Sequence, residues 1–103
     1  MRAIAVMVAR HFRIHPRVLF PHVRKKGQLY SRRASLVRQI VVVLCRDCTD
    51  ATLVDIGHTF GVTHSTVVWS RRKVRRIERE DEVLERDLLA MRMAIERFRE
   101  CRR

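Results

Sequence analysis

Glycine and proline are scarce in this chain, three of one and two of the other in 103 residues. So few turn residues argue against an architecture of many short elements and favour a few long helices. No apolar run approaches the ~20 residues that cross a bilayer. The opening stretch MRAIAVMVAR is interrupted at Arg10 and is too short for a secretory leader. Cysteine is limited to Cys45, Cys48 and Cys101. That odd set makes no disulfide framework and suits a reducing compartment, so an intracellular, cytoplasmic protein is expected. With 47% hydrophobic residues the chain can still bury a core, and one domain over 1–103 is expected.

Acids are nearly absent from the first half. Residues 1–48 carry eleven Lys/Arg against one acid, Asp47; residues 49–76 carry five against two, and residues 77–103 seven against eight. The net charge of +12 therefore belongs to the first three quarters, and the tail is a mixed-charge segment. Such asymmetry is expected of a chain that meets a polyanion on one side, nucleic acid ahead of an acidic lipid surface.

Residues 3–12, AIAVMVARHF, set Ile4, Val8 and His11 with Met7 and Phe12 at helical spacing. Pro16 suits the first position of a short helix that His15 precedes. Residues 21–33 read as a basic loop around Gly27. The run IVVVLC in 34–48 is β-branched and by local preference fits a buried strand. However, Leu36, Val37, Ile40, Val41, Leu44, Cys45 and Cys48 form one helical stripe, with Arg38, Gln39, Val42 and Arg46 off it, so a helix is expected.

Residues 52–78 read as helix, tight turn, helix. Thr52 with Asp55 three residues on can form a capping box, Gly61 breaks the first piece, and Thr63 can cap the second. Leu53, Ile56 and Phe60 face inward from the first piece, and Val67, Val74 and Ile77 from the second. This is a helix-turn-helix pattern. Its second helix, 63–78, opens on His64, Ser65 and Thr66, which can meet base edges in a major groove, and continues into cations at 71–76 that can meet phosphates. The plainer reading is a capped surface helix. In the tail, Leu84, Leu88, Met91, Ile95 and Phe98 make a heptad-like seam that packs on the first helix or on a second chain.

Three stretches in order carry a family resemblance. VRQIVVVLCRDCT, TLVDIGHTFG, and THSTV followed by RRKV together resemble the C-terminal DNA-binding domain of the bacterial replication initiator DnaA, over about residues 4–91. The resemblance implies an all-α helix-turn-helix bundle of about six helices, similar to that TrpR-like domain. It implies base reading by His64, Ser65 and Thr66, and Thr63, at the cap beside them, is counted with the base-reading residues. Phosphate contacts are implied for Arg38, Gln39, Arg46 and Lys73, to which Arg71 and Arg72 add charge. A basic-loop arginine enters the minor groove in the family; here Arg24, Lys25, Lys26, Arg32 and Arg33 are the candidates. The family's last helix closes its own core, which favours intramolecular packing of 81–100 over a homodimer.

The chain departs from the pattern in three places. The family's Gly-Gly-Arg-Asp-His turn is one residue shorter here, Gly61-Val62-Thr63-His64, so a cytosine contact made by that acid is lost. The basic loop is longer. A GxxxxGK[ST] phosphate loop is absent, so no nucleotide partner is expected.

Cys45 and Cys48 lie on the apolar stripe, where core packing is favoured over metal or redox chemistry. His11, His15 and His22 have no neighbouring carboxylate in sequence, and no catalytic set, cofactor or metal is expected. Trp69 either packs on the preceding helix or lies along the DNA backbone. The expected function is therefore sequence-specific binding of double-stranded DNA, by a regulator or competitor at DnaA-box-like sites in a bacterial nucleoid or phage-infected cell. The alternative is a non-specific nucleoid-type binder or an interaction module acting through 81–100.

Overall fold

A computed structural model of the chain describes residues 1–19 and 32–101. They form α1 (Arg2–His11), a 3-10 turn (Pro16–Leu19), α2 (Arg32–Cys48), α3 (Leu53–Phe60), α4 (His64–Glu80) and α5 (Glu82–Cys101). No strand occurs among the described residues. The all-α expectation holds, with five α-helices among the described residues in place of about six; Pro16–Leu19 is too short and too tightly wound to count as the sixth. Lys25 and Lys26, with Arg24, His22 and Gly27, lie outside the described residues. Arg32 and Arg33, expected in the basic loop, instead open α2.

Helix α2 is the axle. It packs against α1, the 3-10 turn, α3, α4 and α5, most extensively against α4. Ile40, Val41, Val42, Val43, Leu44 and Cys45 are all buried, six consecutive residues without an outward side. Val42, set off the stripe by spacing alone, is 1% exposed because the α3–α4 turn and α4 cover that flank. Valine in a helix costs roughly 0.5 kcal/mol relative to alanine. Burying its side chain returns about 1.5 kcal/mol or more, so packing overrides the strand preference of this run.

Helix α1 lays Ile4, Ala5, Val8 and Ala9 onto the core. Its small alanines let the two backbones approach. Met7 and Phe12 are partly buried, while the His11 ring turns outward to Asp87 on α5, Nε2 to Oδ1 3.2 Å. The helix closes with the Arg13 amide on the Arg10 carbonyl (3.2 Å) and the Ile14 amide on the Ala9 carbonyl (2.9 Å). This paired closure needs a left-handed residue, and Arg13 supplies it at φ 57 in place of glycine. The Arg33 side chain, from the first turn of α2, donates to the Phe12 carbonyl and ties the same corner. His15 Nδ1 accepts from the Arg17 amide at 3.2 Å and starts the 3-10 turn, which buries Leu19.

Asp81 separates α4 from α5. It leaves the helical conformation, and its Oδ1 accepts from the amides of Val83 (3.0 Å) and Leu84 (3.1 Å), capping α5. Leu84, Leu88, Met91 and Ile95 are buried in the chain's own core, and Phe98 is half exposed. No helix among the described residues is long and apolar enough to cross a membrane.

Three outcomes test these local assignments. Arg13→Gly removes the left-handed penalty and should raise stability by about 0.5–1 kcal/mol, read as a higher urea midpoint at unchanged slope. At Gly57 a Cβ would stand 2.8 Å from the Val62 carbonyl oxygen. Gly57→Ala should therefore lower stability by about 1–3 kcal/mol; an unchanged midpoint would mean that the turn gives way freely. Asp55 is held below the usual carboxylate range by the Thr52 backbone and side-chain hydrogen bonds. Its contribution is present above about pH 4, the unfolded value, and is lost as pH falls through the lower folded value. The melting difference between the native chain and Asp55→Ala should accordingly shrink between pH 7 and pH 2.

Candidate nucleic-acid interface

A short helix, a tight turn and the start of a longer helix present the candidate surface. Helix α3 begins in a complete capping box: the Asp55 amide donates to Thr52 Oγ1 (3.1 Å) and the Thr52 amide to Asp55 Oδ2 (3.0 Å). Ile56 and Phe60 are fully buried beneath it. Gly61, at φ 65 and ψ 39, reverses the chain, and the Val62 amide returns to the Gly57 carbonyl at 3.2 Å. The missing side chain at Gly57 is what lets the turn fold back this closely.

Helix α4 then starts at Thr63, whose Oγ1 accepts from the Thr66 amide at 3.2 Å and lies 3.0 Å from the Thr66 hydroxyl. Thr63 is thus a cap first, with one lone pair already engaged. Thr63, His64, Ser65 and Thr66 are all exposed, and the first turn holds no acid. The positive end of the helix dipole is therefore left uncompensated. An open hollow in front of this turn is shared by Thr63, His64 and Ser65 with Val54, His58 and Val62. The exposed His58 was not singled out by sequence reasoning; its place one turn before Val62 was the available signal.

On the other flank, α2 meets α4. Ser35, Arg38, Gln39 and Val42 line a hollow of roughly 110 Å³ together with Val62, Thr66 and Ser70. Two of the polar residues lying off the α2 stripe therefore stand beside the N-terminal turn of α4. The Arg38 guanidinium donates to the Phe60 carbonyl, satisfying the end of α3 and fixing the turn. The Gln39 Oε1 atom is enclosed, with no donor among the described residues. Ser70, 3% exposed, packs here as a small residue where a larger one would separate the helices.

The cations divide by their partners. Arg71 Nε pairs with Asp47 at 3.1 Å, and Arg92 bridges Asp47 (4.0 Å) and Glu78 (3.0 Å), so α2, α4 and α5 are joined by one surface network. Arg46 donates to the Ala51 carbonyl at 3.5 Å, two turns along α2 from Arg38 and away from the hollow. Among the described residues, Arg32, Arg72 and Lys73 enter no ion pair. Arg72, Arg75 and Arg76 are exposed and Lys73 half-buried along the third and fourth turns of α4. Trp69, expected on the preceding helix or along the DNA backbone, is 70% exposed, with Val68 beside it at 46%, so it is not packed on α3.

Of the two cysteines of α2, one lies in the core and the other packs partly buried against it. Cys45 is buried, and desolvation pushes its thiol up to about 12; burial raises Cys48 as well. Both are free thiols. Among the described residues no group of His, Cys, Asp and Glu is placed to hold a metal.

Residues 1–74, from α1 to the middle of α4, match the family model described as the bacterial dnaA protein helix-turn-helix. The chain is similar to the chromosomal replication initiator protein DnaA of Mycobacteroides abscessus, 44% identical over 50 residues, 48% of this chain and 10% of the relative. It is also similar to the DnaA protein of Tropheryma whipplei, 42% identical over 40 residues, 39% of this chain and 8% of the relative. The matched part thus spans about a tenth of the length of these relatives. Family match and architecture agree: the chain belongs to the bacterial DnaA helix-turn-helix family, a family of DNA-binding modules.

Proposed function

We propose that this chain binds double-stranded DNA with sequence preference, seating the first turn of α4 in the major groove and acting as a regulator or competitor at DnaA-box-like sites. The supporting observation is the exposed, acid-free turn Thr63–Thr66, placed between two hollows and followed by the cations of α4. His64 and Ser65 project from the tip and offer donors and acceptors to base edges. Thr66 offers its methyl, since its hydroxyl already faces Thr63. Thr63 holds the tip in shape.

Phosphates are neutralised by Arg72 and Lys73, with Arg71 contributing from its ion pair, which releases counterions and fixes register. Arg38 and Gln39 bear on the backbone from α2, where Arg38 also braces the turn. Arg46 lies further along the same helix. Arg32 and Arg33, with Lys25 and Lys26 before them, supply the phosphate or minor-groove contacts of the adjoining segment. The relatives are named chromosomal replication initiators, which is why boxes of the initiator type are the proposed sites.

The test is selection of bound sequences from a random duplex pool at about 150 mM salt. An enriched motif is expected. Strong binding without enrichment, lost as salt rises, would replace sequence reading by non-specific coating. On the enriched duplex, His64→Ala should cost about 1–3 kcal/mol and relax preference at one position. Lys73→Ala should weaken all duplexes alike and reduce the salt slope by about 1. Identical behaviour of the two variants across sequences would rule out direct reading by the tip.

A further inference from the structure

The most exposed large hydrophobic side chain on α4 is an aromatic one. Trp69 is 70% exposed and Val68 46%, on a helix whose other face buries Val67, Ser70 and Val74. Helical spacing puts Trp69 one turn beyond Ser65 and one turn before Arg72 and Lys73. Val68 stands one turn beyond both His64 and Ser65. The apolar pair thus occupies the level between the tip and the cations, on the outward surface. An exposed indole ordinarily finds a partner, since its large apolar area is costly to leave in water.

The surroundings select the partner. Arg72 and Lys73 stand one turn beyond the pair, and Arg75 and Arg76 about two turns beyond it, so a second copy docking by this face would bring like charges together. A polyanion matches these cations, and it must also display an apolar group to match the pair. In duplex DNA the thymine C5-methyl in the major groove is that group. One helical turn rises ~5.4 Å, whereas stacked bases are spaced ~3.4 Å along a strand. The second turn of α4 therefore reaches one to two base pairs from the position of the first.

We infer that Trp69, with Val68 beside it, is a specificity-determining residue: the indole packs on the C5-methyl of a thymine one to two base pairs from the pair met by Ser65. This rests on the DNA reading proposed above. It selects thymine over cytosine, which lacks the methyl, and over uracil, which differs from thymine in nothing else. The contact forms no hydrogen bond, so acceptor and donor patterns alone would not reveal it.

The experiment uses the full chain and the duplex enriched by selection, with single thymines replaced by deoxyuridine and binding read by anisotropy of a labelled duplex. At one thymine the replacement should weaken native binding about fourfold, the value of burying one methyl-sized group. Trp69→Ala should bind the thymine duplex about tenfold or more weakly and show no thymine–uracil difference at that position. As the sole tryptophan, Trp69 should also change its emission on the thymine duplex. An unchanged circular-dichroism melt of Trp69→Ala separates these effects from unfolding.

If Trp69→Ala weakens every duplex equally and keeps the thymine–uracil difference, the indole lies on the sugar-phosphate backbone and the inference is overturned. Native affinity in Trp69→Ala, with His64→Ala still relaxing sequence preference, would overturn it and leave tip reading intact. Absence of any enriched motif for the native chain would remove both.

Discussion

The enclosure of α2 is the constraint on which the rest of the molecule depends. Six successive residues of one helix, 40–45, have no solvent side, and a helix apolar all round is stable only when other elements cover every face. α1, α3, α4 and α5 are each held by that requirement, since each lays a narrow apolar face on α2 and leaves the opposite face in water. Large-to-small changes in such a position leave cavities that surrounding helices fill only in part. The outward surface of α4 is therefore positioned by residues that never approach it.

Because α2 is apolar through its middle, its polar residues are confined towards its ends, and there they meet the elements of the candidate interface. Ser35, Arg38 and Gln39 precede the buried run and face the α3–α4 turn. Arg46 and Asp47 follow it, and Asp47 holds Arg71 and Arg92. Individually, exposed ion pairs are worth about 0–1 kcal/mol. The value of this network lies more in fixing the azimuth of α4, since Asp47 grips it at Arg71, two turns from the tip. The bond from Arg38 to the Phe60 carbonyl does the same for the turn.

What was legible in the sequence is what local chemistry decides. The capping box of Thr52 and Asp55, the left-handed Gly61 and the Thr63 cap are each settled within three or four residues, and each is present. The DnaA resemblance lay in the same short blocks. Val42 was misplaced because periodicity describes a helix with one covered face, whereas α2 has none open. Arg13 was missed because the left-handed residue of a helix end is ordinarily glycine. Asp81 was missed because a cap between two charged helical stretches carries no composition shift. The partners of Arg38, Arg71 and His11 come from distant parts of the chain, so no spacing rule reaches them. Cations that look equivalent in sequence are thereby divided into those that brace the fold and those, such as Arg72, that face outward.

The cap of α4 shows how a small departure redirects chemistry on the proposed reading. An aspartate there, as in the family pattern, would accept the same amide hydrogen bond while carrying a full negative charge at the tip. Thr63 accepts it with none. The partial positive charge of about half a unit at the helix start is then free to act on phosphate. The acceptor that an acid would offer to cytosine is lost, and its loss leaves base discrimination to the other groups of the helix: the His64 ring, the Ser65 hydroxyl, the Thr66 methyl and the indole one turn on. A tip without an acid thus shifts recognition towards backbone charge and thymine methyls. That is the balance expected where the cations and the exposed aromatic share one helix face.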